Sequence, residues 1–240
     1  FLISLWGTGR REYSAMKFVI FTFLGSAFMF AAILTLYFSF SSADRTFDMT
    51  VLATRDLTML IGPVMLVFLG FLVAFAVKLP VFPLHTWLPD AHTDAPTAVS
   101  VMLAGVLLKM GGYGLLRVNV SLFPEQTITV APLLATLAVV NVLYGAFIVT
   151  RQTDLKRLIA YSSISHMGFV LLGISSVGAA AGQLSPVGLN GAAMQLFTHG
   201  TITGLLFVTV GLIYDRTHTR HIPDLGGLVT RMPIIGVAFL

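Results

Sequence analysis

Long apolar stretches recur along the chain, and no other feature of the sequence limits its fold so strongly. Of the 240 residues, 56% are hydrophobic and only 10% are charged, whereas soluble domains carry about 25% charged residues. A helix of about 20 apolar residues spans the hydrocarbon core of a bilayer. The sequence therefore predicts an all-α, polytopic transmembrane helix bundle rather than a globular domain with a single anchor.

Six segments have the length and apolarity of membrane spans. They lie near 16–40, 58–77, 95–118, 130–150, 157–177 and 189–214. The apolar residues at the two ends of the chain, 1–6 and 232–240, resemble parts of two further, truncated helices. We therefore expect residues 1–240 to form a single transmembrane domain that is an excerpt of a longer polytopic chain.

The segment after the second span contains too many prolines for a regular helix, KLPVFPLHTWLPDAH at 78–92. Proline lacks a backbone donor, and its ring clashes with the preceding helical turn. Pro80 and Pro83 are therefore expected to break the helix that starts near residue 58, which then continues to about 92. Irregular backbone at membrane depth is tolerated only inside protein or beside water, and transporters place coupling sites at such discontinuous helices.

The loop charges predict the orientation of the bundle. If the spans alternate in direction, nine basic residues fall on one side: Arg10, Arg11, Lys17, Arg151, Lys156, Arg157, Arg216, Arg220 and Arg231. The other side holds three: Arg45, Arg55 and Arg117. Because cytoplasmic loops are rich in Lys and Arg, the side with nine is predicted to be cytoplasmic.

Four ionisable side chains are predicted to lie at similar depth in the membrane. Lys109 lies inside the third span, His166 and His199 lie near the middle of the last two spans, and Lys78 lies at the helix break. A charge at the bilayer centre costs about 2.5–3.5 kcal/mol, and polar groups inside spans mark ion or proton routes. We therefore interpret Lys78, Lys109, His166 and His199 as a lateral polar row that marks an ion or proton route.

No carboxylate is predicted at the same depth. All ten Asp and Glu residues lie in predicted loops or at predicted helix ends. A buried lysine needs an anionic partner or must lose its proton. The partner carboxylates are therefore expected outside this stretch of sequence or in another subunit.

Simpler interpretations stay open for these residues. Lys78 could extend its ammonium group to the membrane interface without a functional role, and either histidine could be a hydrogen-bonded packing residue. Close helix packing, rather than ligand binding, is the expected role of four glycines: Gly105, Gly111, Gly112 and Gly114. His85 and His92 are seven residues apart without a third ligand, so no metal site is predicted. The basic residues are loop charges, so no nucleic-acid partner is predicted either.

Three motifs resemble those of the antiporter-like subunits of proton-pumping NADH:quinone oxidoreductase, respiratory complex I. The first is KLPVFPLHTWLPDAHTDAPTAVSVMLAGVLLKMGGYGLLR at 78–117. TDLKRLIAYSSISHMGF at 153–169 and MQLFTHG at 194–200 follow in the family's order. The similarity covers nearly the whole chain and is greatest for the subunits called M, or chain 4 in mitochondria, and WLPDAHTDAPTA favours a bacterial form.

The resemblance implies a fold of fourteen helices with two inverted repeats of five helices, each with a broken helix. It places Lys78 and Lys109 on two functional lysines of the family, and His166 and His199 on positions proposed to relay protons. FMN, iron–sulfur clusters and quinone would belong to partner subunits, with no cofactor in this chain. The implied partners are other membrane subunits of complex I, including neighbouring antiporter-like subunits, and the lipid bilayer of the bacterial plasma (inner) membrane.

The resemblance implies proton translocation that is driven by electron transfer from NADH to quinone in other subunits. Two related alternatives share the lysines: a subunit of a multi-subunit Na⁺/H⁺ antiporter and a membrane subunit of a proton-pumping hydrogenase. A purely structural scaffold would tolerate apolar residues at every basic position within the spans. A quinone-reducing site is less favoured, because the sequence indicates no redox centre.

Overall fold

The computed structural model describes residues 1–57, 63–178 and 186–239. Within these ranges the regular structure is helical, with one isolated β-bridge between Asp154 and His221. The helices are α1 (Leu2–Trp6), α2 (Arg11–Phe38), α3 (Met49–Leu52), α4 (Val64–Lys78), α5 (Trp87–Asp94), α6 (Thr97–Val120), α7 (Pro124–Val149), α8 (Leu155–Ser175), α9 (Pro186–Thr217), α10 (Leu228–Arg231) and α11 (Pro233–Phe239). Helix α6 contains two π-helical stretches, Leu103–Leu107 and Leu115–Val120.

Five of these helices are long and apolar enough to cross a membrane: α2, α6, α7, α8 and α9. Helix α4 is also apolar but has 15 residues. The predicted span near 58–77 overlaps it, and residues 58–62 lie outside the described ranges. The other five predicted spans each overlap one of the long helices, so the helical transmembrane fold class is confirmed.

Several helices start before the predicted spans because their first turn is polar. Helix α7 starts at Pro124, six residues before the predicted residue 130, because proline is well suited to the first position of a helix. Helix α8 starts at Leu155 because the Asp154 carboxylate accepts a hydrogen bond from the backbone N–H of Arg157. Spans predicted from apolar stretches alone do not include such polar first turns.

The early start of α8 corrects one assumption of the charge count. Lys156 was counted among the loop charges, but it lies in the first turn of α8 and is only 4% exposed. Its ammonium group donates a hydrogen bond of 2.6 Å to the backbone carbonyl of Ala95, the residue that follows α5. Lys156 is therefore a buried, hydrogen-bonded cation and not a solvent-exposed loop residue.

The predicted discontinuous helix is present. Helix α4 ends at Lys78, residues 79–86 are not helical, and α5 resumes the path at Trp87. The indole N–H of Trp87 donates a 2.9 Å hydrogen bond to the carbonyl of Val77, so a side chain after the break pairs with a backbone group before it. The two half-helices thereby remain attached to each other although the backbone hydrogen bonds of the helix are interrupted.

Close glycine contacts hold the bundle together around this break. A Cβ atom on Gly112 would lie 2.5 Å from the side chain of Leu196 in α9, and one on Gly114 would lie 2.3 Å from the ring of Phe75 in α4. Helix α6 therefore packs closely against both neighbours, as expected from Gly112 and Gly114. The prediction is wrong for Gly105, where the atom nearest to an added Cβ would lie 3.9 Å away. Elsewhere large apolar side chains face outward, Phe23 and Phe30 of α2 among them, as in a protein surrounded by lipid.

Candidate functional site

Lys109 lies where α6 crosses α9. A Cβ atom at Gly200 of α9 would lie 3.0 Å from Cε of Lys109, so the lysine stem passes directly over the glycine. At the end of that stem, Nζ lies 2.6 Å from Nδ1 of His199 and donates a hydrogen bond to the backbone carbonyl of Ala104. The half-buried lysine thus has a titratable imidazole as its immediate neighbour.

His199 is buried, and its two ring nitrogens differ in their surroundings. Nδ1 faces Lys109 and lies 3.4 Å from the hydroxyl of Thr203, which also donates a hydrogen bond to the backbone carbonyl of His199. Within the described ranges, Nε2 of His199 has no hydrogen-bond partner. An imidazole can accept a proton on one nitrogen and release one from the other, and in His199 one nitrogen faces Lys109 while the other has no partner among the described residues.

His166 of α8 lies next to His199. The ring centroids are 5.7 Å apart and the ring planes are tilted by 53°. Nδ1 of His166 lies 3.3 Å from the side-chain nitrogen of Gln195 in α9. The His166 side chain itself is exposed, so it lies on the outer side of the pair.

A cavity of about 400 Å³ joins the two histidines. Its lining is formed by Ser162, His166, Phe169, Gln195, Thr198, His199, Ile202, Thr203 and Leu206. A water molecule occupies about 30 Å³ in the liquid, so the cavity has room for several. The hydroxyl, amide and imidazole groups on its wall supply the polar partners that such waters require.

Three of the four predicted relay residues are therefore brought together, and the fourth is not. Lys109, His199 and His166 form a continuous row. Lys78 is half-buried at the end of α4, and no hydrogen bond or ion pair joins its ammonium group to another residue that the structure describes.

Backbone packing, rather than a hydrogen bond, links Lys78 to the Lys109 helix. A Cβ atom on Gly111 of α6 would lie 2.6 Å from the backbone nitrogen of Leu79 and 2.9 Å from the carbonyl oxygen of Phe75. The backbone of α6 therefore contacts the end of α4 directly. Gly111 is two residues from Lys109 in the chain, and Leu79 directly follows Lys78.

The acidic residues of α5 are bonded to groups other than Lys78 and Lys109. The carboxylate of Asp90 lies 2.7 Å from Nζ of Lys17 and 3.4 Å from the guanidinium of Arg157. Asp94 accepts a 2.5 Å hydrogen bond from the hydroxyl of Ser14. Over the part of the chain that the structure describes, no carboxylate forms an ion pair with Lys78 or Lys109.

Several buried polar residues were not singled out from the sequence. Both ring nitrogens of His92 are buried without a hydrogen-bond partner in the described ranges, and its ring stacks on Phe207 with centroids 4.6 Å apart. Lys156 and Arg220 donate to the last carbonyl groups at the end of α5, where the helix dipole favours cations. Among the residues described, no group of three or more His, Cys, Asp or Glu could hold a metal ion.

Asn141 of α7 is a further buried polar residue that the sequence did not single out. It is fully buried, and its carboxamide bonds to two backbone groups of the helix break, at Pro80 and Phe82. A single Asn within an otherwise apolar span was the available signal. The signal was incomplete because the partner groups belong to the helix break, 59 and 61 residues away in the chain.

Comparisons with known proteins identify the family to which the chain belongs. The family model described as NADH:quinone oxidoreductase/Mrp antiporter, TM, matches residues 1–240. The chain is 50% identical over 238 residues to NAD(P)H-quinone oxidoreductase chain 4 1 of Synechococcus elongatus, covering 99% of this chain and 43% of that protein. It is 48% identical to chain 4 of Gloeobacter violaceus over 99% of this chain and 43% of the relative.

Solved structures give the same result. Respiratory complex I from Thermus thermophilus contains a similar chain, with a TM-score of 0.87, 35% identity, and coverage of 98% of this chain and 48% of that one. A chain of the Mrp complex from Dietzia has a TM-score of 0.82 at 23% identity and shares the fold, with coverage of 95% of this chain and 40% of that one. The chain spans less than half the length of each of these relatives.

Proposed function

Because the chain belongs to the NADH:quinone oxidoreductase/Mrp antiporter transmembrane family, we propose that it acts as a proton-translocating membrane subunit of NADH:quinone oxidoreductase. The row formed by Lys109, His199 and His166 is the observation that carries this proposal. It places a lysine in hydrogen-bonding contact with a buried imidazole and a second imidazole across a polar cavity.

The first transfer takes place between Lys109 and His199. At 2.6 Å, a proton on Nζ of Lys109 can move to Nδ1 of His199 without rearrangement of either helix. The lysine becomes a neutral amine, and the imidazole becomes an imidazolium that carries a proton on each nitrogen. It returns to neutrality by releasing the proton on Nε2, the nitrogen without a protein partner in the described ranges.

The second transfer crosses the cavity to His166. The centroid separation of 5.7 Å is suited to transfer through water, and the 400 Å³ volume provides the space for it. Gln195 orients the His166 ring through its contact with Nδ1. Since His166 is on the outer side of the pair, it is the group from which the proton leaves this row.

Lys78 has a different role in the proposal. Its charge lies at the end of α4 and changes the proton affinity of Lys109 as its own pairing with a carboxylate elsewhere in the complex changes. Moving one charge against about 150 mV requires roughly 3.5 kcal/mol. Breaking one buried ion pair changes the free energy by about 3–5 kcal/mol, so a single pairing event is large enough to drive the transfer.

The partners and the location follow from the same assignment. The other membrane subunits of complex I, including neighbouring antiporter-like subunits, would surround the chain in the lipid of a bacterial plasma (inner) membrane. Electron transfer through FMN, iron–sulfur clusters and quinone would occur in partner subunits. The names of the cyanobacterial relatives, NAD(P)H-quinone oxidoreductase chain 4, support membership of such a complex.

The alternative is a subunit of an Mrp-type Na⁺/H⁺ antiporter. The likeness to the Mrp complex at 23% identity concerns the fold alone, whereas the identity to chain 4 proteins reaches 50%, so the alternative is not favoured. Inside-out membrane vesicles that contain the complete complex distinguish the two. Acidification of the vesicle interior during NADH oxidation without Na⁺ supports the proposal. Transport that requires a Na⁺ gradient and no electron donor would contradict it.

A further inference from the structure

The interrupted helix has to find hydrogen-bond partners outside itself. Buried backbone N–H and C=O groups are nearly always paired, and the requirement is stricter at membrane depth. Between Leu79 and Thr86 the regular helical pattern is absent. The N–H groups of Leu79 and Val81 still bond to carbonyls of α4. Other backbone groups of this segment bond to side chains of neighbouring elements, and these bonds help to fix its position.

Asn141 supplies two of these partners from one side chain. Its Oδ1 accepts a 2.7 Å hydrogen bond from the backbone N–H of Phe82, and its Nδ2 donates a 3.1 Å hydrogen bond to the carbonyl of Pro80. The carboxamide thus bridges the two residues on either side of Val81. A carboxamide offers a fixed donor and a fixed acceptor in one plane and is uncharged at every physiological pH.

Helix α7, which carries Asn141, is packed closely against α8. A Cβ atom on Gly145 would lie 2.6 Å from the backbone nitrogen of Ser165, and the Ser165 hydroxyl donates a 3.0 Å hydrogen bond to the carbonyl of Val142. Val142 is next to Asn141 in the chain, and Ser165 is next to His166. A short series of tight contacts therefore connects the helix break with the helix that carries His166.

We propose that Asn141 is a positioning residue that couples the helix break after Lys78 to the α7–α8 pair that carries His166. A displacement of the break moves α7 through the two carboxamide hydrogen bonds. Helix α8 then moves with α7 because Ser165 contacts Gly145 and bonds to the carbonyl of Val142. This inference rests on the proposed proton-translocating function and adds to it a mechanical connection between the lysine at the break and the outer histidine.

Asn119 provides a matched control in the same chain. It is also a buried asparagine in a long helix, 2% exposed, and its Nδ2 donates a 3.1 Å hydrogen bond to a backbone carbonyl, that of Phe68. It bonds to a regular turn of α4 and not to the break. Replacing either asparagine by leucine removes a buried amide of similar volume, but only Asn141→Leu removes the bonds to residues 80 and 82.

The test measures protons translocated per electron in inside-out vesicles that contain the complete complex. Asn141→Leu is expected to lower this ratio at least threefold, normalised to the assembled complex, while electron transfer continues. Asn119→Leu is expected to leave the ratio unchanged. An unchanged ratio in assembled Asn141→Leu complex would overturn the inference, and so would an equal loss in both variants.

Asn141→Asp keeps the test decisive if the leucine variant fails to assemble. The neutral acid has the shape of the amide and can donate to Pro80 while it accepts from Phe82, but the ionised form cannot donate. The ratio should therefore be near the wild-type value at acidic pH and decrease as the pH rises. His85 and Tyr144 are titratable groups near Phe82, and both are present in the wild type, which provides the reference profile. A profile identical to the wild type would refute the role of Asn141.

The same vesicles separate this inference from the function on which it rests. Lys109→Met is measured in parallel. If Lys109→Met translocates protons normally, the proposed function fails. If Lys109→Met is inactive and Asn141→Leu is normal, only the role of Asn141 fails.

Discussion

The two lysines within the membrane bundle lie in contrasting environments. The ammonium group of Lys109 contacts the His199 imidazole and the Ala104 carbonyl. At Lys78, the hydrogen bond is made by the neighbouring backbone and not by the lysine side chain. The indole of Trp87 donates to the carbonyl of Val77, the residue before Lys78. The Lys78 ammonium group itself has no such bond to the described residues. In the proposed function, the first lysine exchanges a proton with its neighbour, and the second supplies a charge from a fixed position.

The contrast has a physical origin in the two helices. Lys109 lies in the continuous helix α6, whose backbone groups are paired within the helix, so nearby polar side chains are available to bond to the lysine. Lys78 lies at an interruption, where Trp87 and Asn141 are used to pair the freed backbone groups. The consequence is testable, because a residue that exchanges a proton and a residue that supplies charge differ in their tolerance of arginine.

The largest expected effect is at Lys109. Arginine keeps the positive charge but does not release its proton at physiological pH. Lys109→Arg and Lys109→Met should therefore both lower proton translocation by about 100-fold, the size expected for loss of a proton-transferring group. The measurement is vesicle acidification per assembled complex. Substantial activity in Lys109→Arg would show that charge alone is sufficient there.

A smaller effect is expected at Lys78, and here the two substitutions should differ. Lys78→Met removes the charge and should lower translocation about tenfold, within the range of coupling free energies between sites. Lys78→Arg keeps the charge and should retain most of the activity. Equal losses in the two Lys78 variants would remove the proposed distinction between the lysines.

The contact between the two lysine regions is tested at Gly111. Gly111→Ala places a Cβ atom 2.6 Å from the backbone nitrogen of Leu79, so α6 and α4 must separate. Overpacking of this kind costs about 1–3 kcal/mol. We expect a lower thermal unfolding temperature and a loss of translocation of about threefold. Gly105→Ala in the same helix is the control, because its nearest atom would be 3.9 Å away.

The smallest effect is expected at His166. This side chain is exposed and lies across the cavity from His199. Water in the cavity can therefore take over part of the role of His166. His166→Gln should lower translocation about two- to threefold, and His199→Gln, which removes the direct partner of Lys109, should lower it by about tenfold or more. If the two histidine variants lose activity in the reverse order, the proposed direction of transfer from His199 to His166 is wrong.

Much of the fold could be predicted from the sequence, because apolar length and proline content act locally. The apolar spans predicted the long helices, and the prolines at 80 and 83 predicted the interruption after Lys78. The boundaries were less accurate where polar first turns extended α7 and α8. Lys156 shows the consequence of the misplaced boundary. The residue was assigned to a loop, but it is buried against the end of α5.

The candidate site was only partly accessible to such reasoning. Depth within a span indicated that Lys109 and His199 lie at a similar level, but it does not specify which way each helix is rotated. The 2.6 Å contact depends on Gly200, whose missing side chain allows the lysine stem to cross α9. Asn141 was missed because its partners are the backbone groups of Pro80 and Phe82. These groups need a side-chain partner only where the folded chain interrupts the helix.

The sequence by itself therefore determined that this is a bundle of helices apolar enough to span a membrane, with basic residues inside the apolar segments and one helix interrupted by prolines. These properties follow from the transfer of each segment into lipid, which depends on composition and length alone. Only the tertiary structure decided which basic residues meet. That outcome depends on how glycine contacts and buried amide hydrogen bonds set the rotation and separation of helices that are far apart in the chain.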